Sequence, residues 1–187
     1  MASASPRRRE LLERLGLRFT VHAPEIDEAR VPGELPEVYV RRLALEKSAR
    51  VSKQFAGKIV LGADTAVVLG QEILGKPRDP RDAVGILSRL AGRTHTVLTG
   101  IAVSGPFQNA AVVATSVEIR NLSGEEIEWY VSTKEPLDKA GAYAIQGIGS
   151  FLVKSIEGSF SNVVGLPLVE TLEMLRSSGM VFPWSGR

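Results

Sequence analysis

An α/β fold with a mixed, twisted sheet flanked by helices is what this sequence predicts, and three observations predict it. Apolar residues recur at helical spacing between Pro36 and Lys53, between Asp79 and Gly92, and again near the C-terminal end. Short apolar runs bounded by Gly and Pro alternate with these helices early in the chain. Two longer strand-like stretches, Thr94 to Val103 and Ala111 to Leu122, are parted by Gly105-Pro106 and suit an antiparallel pair. Two lobes with a cleft between them fit this order of elements.

The elements follow in sequence. Ser5-Pro6-Arg7-Arg8-Arg9 opens a helix, with Ser as cap and Pro at the first helical position, and Gly16 ends it; Leu11, Leu12 and Leu15 share one face. Phe19 and Val21 alternate with polar residues as in a short strand. An acidic loop containing Glu25, Asp27 and Glu28 comes next. The helix from Pro36 to Lys53 carries Val40, Leu43, Ala44 and Val51 along its apolar side. Ile59-Val60-Leu61 runs into Gly62-Ala63-Asp64-Thr65 and then Ala66 to Leu69, which embeds a carboxylate in an apolar strand. Asp79-Pro80 opens a helix with Val84, Leu87 and Leu90 on one side. Ser123-Gly124-Glu125-Glu126 is a capping box, Phe151 to Ile156 a further strand, and Leu168, Val169, Leu172 and Leu175 stripe a last helix that ends at Gly179.

Composition narrows the chemistry. With 187 residues, 44% of them apolar, the chain suits one domain with a buried core. Lys and Arg number 23 and Asp and Glu 21, so no broad positive field exists to hold nucleic acid, and any anion site is local. There is no cysteine, which excludes disulfides, a thiolate nucleophile and sulfur-ligated zinc; a metal here is oxygen-bound. No apolar run reaches the ~20 residues that span a bilayer, so no membrane partner is expected and the expected compartment is the cytoplasm.

Three segments join glycine to polar residues at element ends, where α/β proteins place ligands. Ser3, Ser5, Arg7 and Arg8 surround a helix N-terminus whose free N–H groups suit phosphate oxygens; a capped helix with a solvated basic face explains them equally well. Asp64 and the later Gly75-Lys76-Pro77 offer a metal ligand or proton acceptor and a phosphate-neutralising cation, against a bland Asp-Thr bulge. Asp138-Lys139-Ala140-Gly141-Ala142-Tyr143-Ala144-Ile145-Gln146-Gly147 sets an ion pair and an amide among small residues that would let a planar ligand approach, and Gln146 suits the imide edge of a pyrimidine.

Taken together, Ala2-Ser3-Ala4-Ser5-Pro6-Arg7-Arg8, Gly62-Ala63-Asp64-Thr65, Gly75-Lys76-Pro77, Gly92-Arg93-Thr94-His95, Asp138 to Tyr143, and Ser161-Asn162-Val163-Val164-Gly165-Leu166-Pro167 closely resemble the Maf family in order and spacing, from about Ala2 to about Gly179. The resemblance implies a nucleoside triphosphate pyrophosphatase that needs a divalent cation, Mg²⁺ or Mn²⁺. The Asp138 to Gly147 string is similar to that of the branch acting on dTTP and UTP. Roles carried over position by position make Asp64 the proton acceptor, Glu28 and Asp64 the metal ligands, and Arg7, Thr65 and Gln146 determinants of substrate choice. Ser5, Arg8, Lys47, Lys76 and Lys139 join them as substrate-binding side chains, and the partner is the triphosphate, with a homodimer a common family state. A role in nucleotide-pool cleaning or cell-division arrest is also implied. The family has a short apolar strand just before the first motif, and Met1 stands where it should end, so one Maf-like domain over 1–187 without that strand is expected. A nucleotide-binding regulator of cell division with impaired turnover is the rival, and the intact Asp64, Lys76 and Asp138-Lys139 argue against it.

Overall fold

The fold is described for residues 1–185 from a computed structural model. Helices α1 (Pro6–Arg14) and α2 (Pro36–Ser52) precede strands β1 (Val60–Leu69) and β2 (Glu72–Leu74); α3 (Pro80–Leu90) then leads to β3 (Thr94–Ser104) and β4 (Asn109–Ile119). After α4 (Gly124–Ser132) come three short 3-10 turns, β5 (Val153–Glu157), α5 (Phe160–Val164) and α6 (Leu168–Ser177). The strands form one antiparallel sheet in the order β2-β1-β3-β4-β5. Its parallel component is a single bridge, Ala2 to Gly62, with the Ala2 N–H donating to Leu61 O at 2.7 Å. The α/β class and the flanking helices are as expected.

The chain divides into two compact units. The first contains Met1–Asp64, Thr99–Val113 and the segment from Gly165 on, and the second contains Thr65–Leu98 and Ala114–Val164.

In the first unit, α2 buries Val40, Leu43, Ala44, Lys47, Ser48 and Val51, a stripe at helical spacing that includes one cation. Two glycines admit this helix to the sheet. A Cβ on Gly62 of β1 would lie 2.3 Å from Ala44 O, and one on Gly100 of β3 would lie 2.2 Å from Val40 O. The helix backbone therefore rests directly on both strands, and Ser48 Oγ meets Ser104 Oγ at 2.8 Å. Residues 19–21 form no strand. Met1 lies beside them, its ammonium donating to Thr20 O at 2.6 Å and its carbonyl accepting from the N–H of His22 just beyond. In the last helix Leu175 of the predicted stripe is buried and Leu168 and Leu172 are half-buried, but Val169 is 65% exposed, and Thr171 and Met174 are buried with Leu175.

The second unit has its own core, in which Val67, Leu74, Leu87, Leu90, Val97, Val117, Ile127 and Tyr130 meet. Helix α3 is capped by Asp79, which accepts from Asp82 N, and α4 by the expected box of Ser123 and Glu126. No helix among the described residues is long and apolar enough to cross a membrane.

Candidate active site

The first unit holds a charge cluster built from three separate elements. Lys47 comes from the buried stripe of α2, Asp64 from β1 and Glu28 from the acidic loop. The Lys47 ammonium donates to Asp64 Oδ1 at 2.6 Å and pairs with Glu28 Oε1 at 2.7 Å. The close seat of α2 on Gly62 is what brings Lys47 to a residue two positions further along β1. Both Lys47 and Asp64 are buried. Burial pushes the Asp64 carboxyl up from its ordinary range, and the charges of Lys47 and Arg8 pull it partly back.

The loop that carries Glu28 is tied down. Tyr39 of α2 donates its hydroxyl to Glu28 O at 3.1 Å, and Arg42 holds Glu34 at 2.6 Å and Ala29 O at 3.0 Å. Burial, together with Asp64 and Glu28, raises the Tyr39 phenol above its usual range. Neither Tyr39 nor Arg42 stood out in the sequence; an Arg and a Tyr one turn apart, facing an acidic loop, were the available signal.

At the opening turn the two arginines part company. Ser5 caps α1 by accepting from Arg8 N. The Arg8 guanidinium points inward, donating to Gly165 O at 2.8 Å, Ser3 Oγ at 3.0 Å and Ala63 O at 2.8 Å. The Ser161 to Pro167 motif thus contains, at Gly165, a carbonyl that fixes Arg8. Full burial lowers the Arg8 basicity, which the Asp64 charge partly restores. Arg7 is half-buried and makes no hydrogen bond or ion pair among the described residues.

The remaining expected residues lie in the second unit. Thr65 is half-buried in β1. Lys76 is exposed and without a hydrogen-bond partner among the described residues, and its neighbour Gly75 accepts from Gly141 N at 3.1 Å, which ties its turn to the Asp138 to Tyr143 segment. Lys139 bonds to Glu135 O at 2.6 Å and to Asp138 Oδ1 at 2.5 Å, the ion pair expected from the sequence. The Gln146 amide is half-buried and makes no hydrogen bond among the described residues. Protein groups close on the glycines of this segment. A Cβ at Gly141 would meet Val67 at 2.8 Å, one at Gly147 would meet Glu135 Oε2 at 2.6 Å, and one at Gly149 would meet Tyr130 Oη at 2.4 Å. They make room for protein side chains. Behind this segment the buried Tyr143 hydroxyl meets His95 Nε2 at 2.8 Å, and burial holds the imidazole at about 4, so it is neutral at neutral pH.

A family profile described as "Maf-like protein" matches residues 1–178. The chain belongs to the Maf family. A protein of Myxococcus xanthus called dTTP/UTP pyrophosphatase is 56% identical over 184 residues, covering 98% of this chain and 94% of its own length. Proteins of the same name from Symbiobacterium thermophilum and Acinetobacter baylyi are 52% and 50% identical over 180 and 177 residues, covering 96% and 94% of this chain and 93% and 97% of theirs. A solved nucleoside-triphosphatase (dITP/XTP pyrophosphatase) from Mycobacterium abscessus aligns over 95% of this chain and 92% of its own at a TM-score of 0.43 and 14% identity.

Among the described residues no three His, Cys, Asp or Glu side chains gather as a metal cage. Glu28 and Asp64 nevertheless share one cation, Lys47 Nζ, so their bonded oxygens are no farther apart than those two short bonds laid end to end. Each keeps its other oxygen without a hydrogen bond among the described residues. Two carboxylates are oxygen donors of the kind that suit a Mg²⁺-type ion.

Proposed function

We propose that this chain hydrolyses dTTP and UTP to the nucleoside monophosphate and pyrophosphate, acting in the cytoplasm as one Maf-like domain. The substrate names come from relatives at 50–56% identity. The observation that carries the chemistry is the buried Asp64, whose Oδ1 is fixed by Lys47 while its other oxygen is unengaged.

A carboxylate held by a buried lysine is rigid, and burial raises its affinity for a proton. Asp64 accepts a proton from the attacking water as the water oxygen bonds to the α-phosphorus. The α–β anhydride bond breaks, and pyrophosphate departs with its electron pair. The substrate carries roughly four negative charges, so the site must supply cations where charge develops. Arg7 and Lys76, whose side chains have no partner among the described residues, are assigned to the phosphates. Ser5 and Lys139 contribute donors, and Arg8 positions the turn from within. Glu28 and Asp64 would hold Mg²⁺ or Mn²⁺, which when bound neutralises phosphate charge. Thr65 and Gln146 are assigned to substrate choice, the Gln146 amide offering a donor and an acceptor to a pyrimidine imide edge.

The test is product analysis on the purified protein with Mg²⁺ over a panel of canonical triphosphates. Pyrophosphate and monophosphate appear in equal amounts from dTTP and UTP. Orthophosphate as the first product, or no turnover of either pyrimidine triphosphate, overturns the reading.

A further inference from the structure

Glu135 lies outside every motif that carries the family resemblance, yet the segment with Gln146 is built around it. Its carboxylate accepts from three donors: Tyr130 Oη at 2.9 Å, Ile148 N at 3.0 Å and Gly149 N at 2.8 Å. Its carbonyl accepts from Lys139 Nζ at 2.6 Å. Tyr130, fully buried, also accepts from Ala144 N at 3.2 Å, so the same pair of side chains grips the segment on both sides of Gln146. The two glycines that close on this carboxylate and phenol, Gly147 and Gly149, leave no space for a side chain of their own. These bonds outweigh the partial burial of Glu135 and hold its carboxyl below the ordinary range, so it is charged throughout the neutral region.

We propose that Glu135 is a positioning residue for substrate choice: its carboxylate fixes the main chain on the C-terminal side of Gln146 and thereby aims the amide that reads the base. The inference rests on the assignment of Gln146 to the base. It is specific to a carboxylate, because all three partners are donors. A glutamine at 135 presents one acceptor oxygen and turns an N–H₂ group toward an N–H, so at least one main-chain bond is lost and that end of the segment is pushed away.

The experiment measures kcat and KM for UTP and CTP in wild type, Glu135→Gln, Tyr130→Phe, Gln146→Ala and the Glu135→Gln/Gln146→Ala double variant. Glu135→Gln is expected to lower the UTP-over-CTP ratio of kcat/KM about tenfold, with KM moving more than kcat, and Tyr130→Phe shifts it in the same direction by less. In the Gln146→Ala background the further change from Glu135→Gln falls below about twofold, because the two residues act through one contact. If Gln146→Ala lowers the ratio and Glu135→Gln does not, or if their effects multiply independently, the positioning role is overturned while the base reading stands. If Gln146→Ala leaves the ratio unchanged, both fall. Should Glu135→Gln fail to fold, Tyr130→Phe alone and with Gln146→Ala decides by the same comparison.

Discussion

Lys47 Nζ and Asp64 Oδ1 meet at 2.6 Å inside the first unit, the lysine reaching out from a buried helix face that also carries Val40, Leu43, Ala44, Ser48 and Val51. A lysine in such a stripe has no reason to be there except its partners. Lys47→Met keeps the apolar stem and removes the charge, leaving a buried carboxylate opposed mainly by Arg8. Turnover should fall roughly 100-fold or more. Lys47 pulls the Asp64 pKa down, so its loss moves that pKa up, and the acid limb of the rate-against-pH profile should shift to higher pH. An acid limb that stays in place would dissociate Lys47 from Asp64.

Asp64→Asn should lower turnover by at least about 100-fold, since an amide accepts no proton from water. Its effect on folding stability should depend on pH. A carboxyl whose folded pKa lies above its unfolded one contributes stability below the unfolded value and loses it as pH rises through the folded value. Asp64 is such a group, so its charge is a burden near pH 7. Thermal melting at pH 7 and at pH 4 reads this directly: the variant gains on wild type as pH rises.

The two arginines of the opening turn should separate in opposite ways. Arg8→Ala strips donors from Gly165 O, Ala63 O and Ser3 Oγ in a buried place, costing about 2–4 kcal/mol of stability by urea unfolding. Arg7→Ala leaves stability within about 0.5 kcal/mol and raises KM for the triphosphate. Equal destabilisation by both would contradict the inward and free orientations.

Gly62→Ala places a methyl 2.3 Å from Ala44 O and 2.8 Å from Ser48 N, so α2 must move. A loss of about 1–3 kcal/mol is expected, and activity should drop because Lys47 travels with the helix. Gly85→Ala, in open space on the exposed side of α3, should instead stabilise by about 1 kcal/mol and leave kinetics alone.

His95 is neutral in the fold down to about 4, against an ordinary 6.5, because burial opposes its charge. Stability should therefore hold above pH 6.5 and decline as pH falls toward 4, by on the order of 3 kcal/mol. His95→Gln retains a side chain able to reach the Tyr143 hydroxyl and should flatten that decline in urea midpoints measured across the range.

Much of the fold was legible because its signals are local. Ser5-Pro6, Asp79-Pro80 and the Ser123 box announce helix starts by side chains that bond within three residues, and the helices begin there. The 36–53 helix was legible from its period, and Lys47 was marked as a substrate-binding side chain by the family resemblance, but its pairing with Asp64 of β1 was not legible. Phe19 and Val21 alternate correctly for a strand and still make none, since alternation says nothing about whether a neighbouring strand is there to pair. At Gly141, Gly147 and Gly149 the sequence showed small residues without showing what fills the space, because Val67, Glu135 and Tyr130 arrive from elsewhere in the chain. Glu135 itself was invisible for a related reason: two of its partners are main-chain N–H groups, which every residue but proline possesses.

That anonymity has an evolutionary side. A carboxylate that grips the chain by its N–H groups places no demand on the side chains at 146 and 148, only on the absence of one at 147 and 149. If Gln146 reads the base as proposed, the frame and the letter it displays are separable, and a single codon change at 146 would alter what is read without dismantling the mount.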